Sequence, residues 1–130
     1  MRVRSPLDSR TELVMTRTIG AALAVHKALG PGFLESIYRK AMYIELESCA
    51  IPFERERPIR VRYRNVAIRG QRVDLVVADA VVVELKSVAK FDEIHRSQLI
   101  SYLKTIGLRG GLLINFRVTR LKDGLVRVVL

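Results

Sequence analysis

The chain has 130 residues, 49% hydrophobic and 28% charged, enough for one compact domain with a substantial core. One cysteine and two histidines exclude an internal disulfide, a multi-cysteine zinc site and a histidine-rich metal site, so any metal would have oxygen ligands. The net charge of +10 favours nucleic acid as a partner, unless it serves only solubility. No apolar run is long enough for a membrane span, which predicts a cytoplasmic protein without a membrane partner.

Two helices are predicted in the first third of the chain. Residues 1–8 are expected to form a flexible basic tail. Ser9 and Glu12 have the spacing of a capping box, and apolar residues follow at helical spacing as far as Leu29. Gly30-Pro31-Gly32 should end this helix, because glycine adopts a left-handed cap and proline cannot continue the helical hydrogen bonds.

The second predicted helix runs from Leu34 to Cys49, and Pro52 closes it. Cys49 is expected to be a small buried residue rather than a nucleophile. The inward face of this helix is predicted to include Ile37, Ala41, Ile44 and Leu46.

A meander of three strands is predicted next. The first is a half-buried strand in which Ile59, Val61 and Tyr63 alternate with Arg60, Arg62 and Arg64. Two apolar runs, Val73–Val77 and Val81–Lys86, are separated by Ala78-Asp79-Ala80, which predicts a tight hairpin.

The last third of the chain adds one helix and two strands. The helix is predicted from Asp92 to Ile106, ending at Gly107. A short buried strand, Leu112–Asn115, and an edge strand, Leu125–Leu130, follow. The sequence therefore predicts one α/β domain over residues 9–130, with the element order α-α-β-β-β-α-β-β.

Three charged residues lie within the apolar hairpin. Asp74 and Glu84 should be close, because antiparallel neighbours are about 4.8 Å apart, and Lys86 shares a face with Glu84. Charges in an apolar sheet are costly unless they are paired or coordinated. Two carboxylates suit Mg²⁺ or Mn²⁺, and the alternative is a salt-bridge cluster without a catalytic role.

Several motifs carry a family resemblance. Asp74, a gap of nine residues and Glu84-Leu85-Lys86 resemble the active-site signature of the PD-(D/E)XK nuclease superfamily. The segment from Gly32 to Tyr38 is similar to the GxxExxY pattern of one bacterial family within it. The segment from Gln98 to Tyr102 resembles the QxxxY motif of the RecB-like and phage-exonuclease-like branch. The resemblance implies a restriction-endonuclease-like core, a mixed sheet of about five strands flanked by helices.

The resemblance also implies a metal-dependent nuclease, with DNA as the expected substrate. The implied metal ligands are Asp74, Glu84, the backbone carbonyl of Leu85, and Glu35 directly or through water. Lys86 would orient the attacking water, act as a base or stabilise the pentavalent phosphorane. Gln98 would bind a phosphate or the nucleophilic water.

For other residues, a purely structural role is the alternative to the role that the resemblance implies. Glu35 also suits a helix N-terminus, where a carboxylate is favoured by the helix dipole. Tyr38 and Tyr102 are expected to help to bind substrate, or else to pack in the core. Arg60, Arg62 and Arg64 share one strand face, where they contact substrate phosphates, protect an edge strand from aggregation, or do both.

Two other functions remain open at this point. One is a nucleic-acid-binding module that keeps the fold and does not cleave, and the other is an interaction protein whose charge cluster is structural. The small size of the domain leaves room for a dimer or a protein partner.

Overall fold

The element order predicted from the sequence is confirmed by a computed structural model, which describes residues 5–130. The N-terminal half contains α1 (Ser9–Leu29), α2 (Glu35–Ser48), β1 (Phe53–Tyr63), β2 (Val66–Val77) and β3 (Val81–Lys86). The C-terminal half contains α3 (Glu93–Ile106), β4 (Gly110–Asn115), a 3-10 turn (Leu121–Gly124) and β5 (Leu125–Val129).

The five strands form one mixed sheet in the order β1-β2-β3-β4-β5. Only β3 and β4 are parallel, and α3 is the connection between them. One face of the sheet packs on α1 and α2, and the other face packs on α3. The predicted fold class, an α/β domain with a restriction-endonuclease-like mixed sheet, is therefore confirmed.

The start of α1 differs from the prediction by one residue. Asp8 is the N-cap, and its carboxylate accepts a hydrogen bond of 2.7 Å from the backbone N–H of Thr11, whereas Ser9 is already helical. Leu7 is buried in the core, so the folded part of the chain begins before residue 9. The first four residues of the predicted tail lie outside the described residues.

The predicted inward face of α2 is wrong for two of its members. Ile37 and Ile44 are 41% and 69% exposed, and the buried stripe consists of Tyr38, Met42 and Leu46. The ring of Tyr38 stacks on that of Phe116 at a centroid distance of 4.4 Å, and this packing fits the observed rotation of the helix. Cys49 follows the last turn and is exposed, contrary to the expectation of a buried cysteine.

The first two strands are longer than predicted, and the outer part of β1 is not half-buried as predicted, because Val61 and Tyr63 are 44% and 64% exposed. The sequence predicts β2 from Val73, but the strand begins at Val66 and pairs with β1 as far as its end at Tyr63. In contrast, β2 pairs with β3 only over Leu75–Val77. The sheet therefore opens between β2 and β3 immediately beyond Leu75, and this opening positions the candidate site.

Candidate active site

Asp74 and Glu84 lie opposite each other where β2 and β3 separate. The backbone N–H of Asp74 donates a hydrogen bond of 3.0 Å to Oε1 of Glu84. In return, the backbone N–H of Leu85 donates one of 2.7 Å to Oδ2 of Asp74. These two bonds replace the strand-to-strand ladder, so the opening of the sheet holds both carboxylates in one place.

Glu84 is buried beside a second carboxylate, and this position raises the pKa of its carboxyl. It is only 5% exposed, and burial, followed by the repulsion of Asp74, raises the pKa of its carboxyl to about 8. The negative charge of Glu35 acts in the same direction, while the hydrogen bond from the Asp74 backbone and the charge of Lys86 lower this pKa. The Lys86 Nζ atom is 4.0 Å from Oε2 of Glu84. The predicted carboxylate pair and its lysine are therefore brought together.

Arg39 is a member of the site that the sequence analysis missed. Its Nη2 atom is 2.8 Å from Oε2 of Glu35, one helical turn earlier in α2. Its Nε atom is 3.6 Å from Oδ1 of Asp74 and has no hydrogen-bond partner among the described residues. Arg39 therefore connects Glu35 to the carboxylate pair. The spacing of four residues between Glu35 and Arg39 was the available signal.

Tyr38 has a structural position, which contradicts its expected contact with substrate. Its side chain is fully buried, and its hydroxyl donates to the carbonyl of Gly30 and accepts a hydrogen bond of 3.1 Å from the N–H of Phe33. The carbonyl of Phe33 accepts a bond of 2.9 Å from the hydroxyl of Ser87. Tyr38 thus anchors the loop before α2 beside the segment that follows Lys86.

Tyr102 is also buried, at 6% exposure, and it connects α3 to β2. Its hydroxyl accepts a hydrogen bond from the side-chain amide of Gln71, a residue that the sequence analysis did not single out. Burial, and then the charge of Glu84, raises the pKa of Tyr102. This placement does not support a direct contact with substrate. Gln98, one turn earlier in α3, is half-buried.

The oxygen atoms of Asp74 and Glu84 suit a hard cation, but fewer acidic side chains are grouped here than the sequence predicts. Each carboxylate of the pair has one oxygen fixed by a backbone N–H, while its other oxygen faces a cationic group, Arg39 or Lys86. Oxygen ligands of this kind suit Mg²⁺ or Mn²⁺. Within residues 5–130, however, no three acidic, histidine or cysteine side chains are grouped to share a metal ion. Glu35 therefore does not complete a three-carboxylate cluster.

Arg60, Arg62 and Arg64 lie outside this cluster of charges. They are exposed on the part of the β1–β2 hairpin that extends past the opening of the sheet. The prediction that all three share one strand face is wrong for Arg64, which lies in the turn after β1 with a φ of 49°.

The chain belongs to the PD-(D/E)XK nuclease superfamily, whose family model matches residues 12–128. No curated protein and no solved structure matches it. Membership supports a nuclease-type function on a nucleic-acid substrate in a superfamily that generally uses divalent metal ions. The assignments to the GxxExxY family and the RecB-like branch stay predictions. No helix in residues 5–130 is long and apolar enough to cross a membrane.

Proposed function

We propose that this protein is a metal-dependent nuclease that hydrolyses the phosphodiester bonds of DNA, with Mg²⁺ or Mn²⁺ as its cofactor. The observation that carries the proposal is the reciprocal pair of hydrogen bonds between Asp74 and the β3 strand. This pair directs one free oxygen of each carboxylate toward cationic side chains. Burial and the repulsion of Asp74 raise the pKa of Glu84 to about 8, and a carboxyl shifted in this way by burial and a close charged neighbour is typical of an active site.

Asp74 and Glu84, with the carbonyl of Leu85, are the groups that would hold the metal ion. When bound, a divalent ion neutralises phosphate charge and lowers the pKa of its bound water. Glu35 is held by Arg39 and would contribute through water rather than as a direct ligand. The fixed positions of Asp74 and Glu84 mean that little reorganisation is needed at the time of reaction.

Lys86 follows Glu84 by two residues and supplies a positive charge on the same side of the site. Its backbone carbonyl accepts a hydrogen bond of 3.0 Å from the N–H of Phe116. Asn115, which is opposite Lys86 in the parallel ladder, is buried and bonds the backbone N–H and carbonyl of Val88. This support fixes the backbone of Lys86, from which the ammonium would orient the attacking water or stabilise charge on the phosphorane.

Gln98 and Arg39 are proposed to act on the substrate side of the site. The half-buried amide of Gln98 can donate to a phosphate oxygen or accept from the nucleophilic water. Arg39 balances the charges of Glu35 and Asp74 and would hold these two carboxylates in place while substrate binds. The three arginines predicted to contact phosphates are all exposed; they are Arg60, Arg62 and Arg64.

Cleavage of a labelled duplex and of a single strand in Mg²⁺, Mn²⁺ or EDTA tests this proposal. We expect wild-type protein to cleave only with metal, and Asp74→Asn to lose at least about a hundredfold in rate, because one of the charged ligands is removed. Asp123→Asn is the matched control, since Asp123 is exposed in the 3-10 turn. Cleavage that survives Asp74→Asn would contradict the assigned site. Tight, salt-sensitive binding without cleavage would favour the non-cleaving module instead.

A further inference from the structure

The outer part of the β1–β2 hairpin extends beyond the sheet as a two-stranded ribbon. Residues 60–71, which we call the arm, are all exposed, and the sheet pairs formed by residues 61–68 are only with each other. Arg64 and Asn65 form the tip, with φ angles of 49° and 64°, typical of a tight hairpin turn. A local irregularity falls between the pairs formed by Ile59 and Val61.

The arm has two chemically different faces. Residues that pair across the ladder share a face, and faces alternate along each strand. One face therefore carries Val61, Tyr63, Val66 and Ile68, which are 44%, 64%, 63% and 51% exposed. The opposite face carries Arg60, Arg62 and Arg69.

The charge of the arm favours a polyanion over a second copy of the chain. The arm contains four arginines, Arg60, Arg62, Arg64 and Arg69, and no acidic residue. None of the four forms an ion pair with another described residue. Docking two arms together would bring their unpaired guanidiniums close. The four apolar side chains of the arm, each about half exposed, also offer less surface area than the roughly 800 Å² that each partner buries in a stable interface.

The position of the arm connects it to the candidate site. At its base, Gln71 donates to the hydroxyl of Tyr102, and Asp74 follows three residues later in β2. A strand rises about 3.3 Å per residue, so the apolar face at Ile68 lies about 20 Å from Asp74 along β2. A nucleic-acid strand held on the arm can therefore extend to the carboxylate pair.

We propose that the arm binds unpaired nucleotides, with a base stacked on Tyr63 on its apolar face and neighbouring phosphates passing around the edge of the ribbon to its arginine face. This inference rests on the proposed function and names the class of substrate: a single strand, or a duplex with an unpaired end. In an intact duplex the bases are stacked inside, and the apolar face would find no apolar partner. The ring of Tyr63 is available for stacking, and the guanidinium of Arg64 lies 5.9 Å from its centroid.

Fluorescence anisotropy in EDTA tests the inference without any need for cleavage. The probes are a labelled single-stranded oligonucleotide, its blunt duplex and the same duplex with an unpaired tail. We expect the wild type to bind the single strand and the tailed duplex more tightly than the blunt duplex. Tyr63→Ala should weaken binding of both by about tenfold and leave blunt-duplex binding unchanged, because only an unpaired base can stack on the ring.

Two further variants separate the faces of the arm. Tyr63→Phe should bind like the wild type, because the ring is kept. Arg62→Gln should weaken binding of all three probes and reduce the dependence of affinity on salt, because a phosphate contact is lost. The melting temperatures of all these variants should equal that of the wild type, since the changed side chains are exposed.

Three results would overturn the inference. The first is equal affinity of the wild type for the single strand and the blunt duplex. The second is that Tyr63→Ala loses as much affinity for the blunt duplex as for the single strand. The third is a solution dimer that Tyr63→Ala dissociates without changing oligonucleotide affinity. The proposed nuclease function fails separately. Single-strand preference without metal-dependent cleavage keeps the arm assignment and rejects the nuclease, whereas cleavage without that preference does the opposite.

Discussion

At the residue scale, the carboxylates of Asp74 and Glu84 are each held by a backbone N–H of the other strand. This arrangement fixes the distance between two like charges and places one of them in the core, where it is 5% exposed. The free energy of holding two ionised acids together must be offset by a cation or by a proton. Without metal, Lys86 and Arg39 supply part of that compensation.

The raised pKa of Glu84 predicts a specific pH dependence of stability in metal-free protein. Its carboxyl titrates near 4.5 when unfolded and at about 8 when folded. Between these values the folded state holds a proton that the unfolded state releases, so the stability of the wild type falls as pH rises. Relative to Glu84→Gln, which carries no such proton, we expect a loss of up to about 1.4 kcal/mol per pH unit.

Urea unfolding in EDTA at several pH values between 4.5 and 8 measures this difference. Mg²⁺ should restore wild-type stability mainly at the upper end of the range and should have no such effect on Glu84→Gln. A stability difference between the two proteins that does not change with pH would contradict the prediction.

Removal of Arg39 should destabilise the metal-free protein. Arg39→Met leaves Asp74 and Glu35 without their nearest cation, and we expect a loss of about 1–3 kcal/mol in the free energy of unfolding. Lys40→Met is the matched control, because Lys40 is the next residue of α2 and is exposed. Urea unfolding in EDTA should separate the two variants, and equal stabilities would show that Arg39 contributes nothing to the site.

At the scale of the elements, α2 positions the site through the loop that precedes it. The hydroxyl of Tyr38 bonds Gly30 and Phe33, and Phe33 contacts Ser87 just after Lys86. One buried helix residue therefore links the start of α2 to the end of β3. This link explains a tyrosine at this position of the motif without any contact with substrate.

Tyr38→Phe tests this structural role. The variant keeps the stacking on Phe116 but loses the hydroxyl, so we expect a decrease of about 1–2 kcal/mol in the free energy of unfolding. Oligonucleotide affinity measured in EDTA should not change. A loss of affinity with unchanged stability would instead return Tyr38 to the substrate-binding residues.

A second element-scale prediction concerns the turn behind β4. A Cβ atom on Gly124 would lie 2.1 Å from the carbonyl oxygen of Asn115, so Gly124→Ala must displace the end of β4. We expect this variant to lose about 1–3 kcal/mol and to weaken the support of Lys86.

Gly20→Ala is the matched control, because nothing lies within 4 Å of the added Cβ atom in the middle of α1. It should stabilise the protein by about 0.5–1 kcal/mol, since alanine is the better helix former. Thermal unfolding of the two variants measures both effects. Gly124→Ala with wild-type stability would contradict the packing described for this turn.

At the scale of the whole molecule, local signals predict the element order well. Strand β3 has the predicted bounds, Val81–Lys86, because a turn and an apolar run mark both of its ends. Helix α3 begins one residue after the predicted start, because Asp92 is its cap. The proximity of Asp74 and Glu84 also follows from the hairpin alone.

The remaining features depend on tertiary contacts that the local pattern does not contain. Helix α2 carries apolar residues on more than one side, so its rotation is set by packing against the sheet, and with it the position of Arg39. The sequence predicts too late a start for β2, because Val66–Gly70 has no strict alternation of apolar and polar residues. Only pairing with β1 makes this segment a strand.

Calorimetric titration of the metal-free protein with Mn²⁺ tests most directly whether Asp74 and Glu84 share one divalent ion. The structure predicts one bound ion per chain in the wild type and in Asp123→Asn, and loss of that binding in Asp74→Asn and Glu84→Gln. Wild-type protein that binds no Mn²⁺, or Asp74→Asn that binds it as tightly as the wild type, would contradict the account.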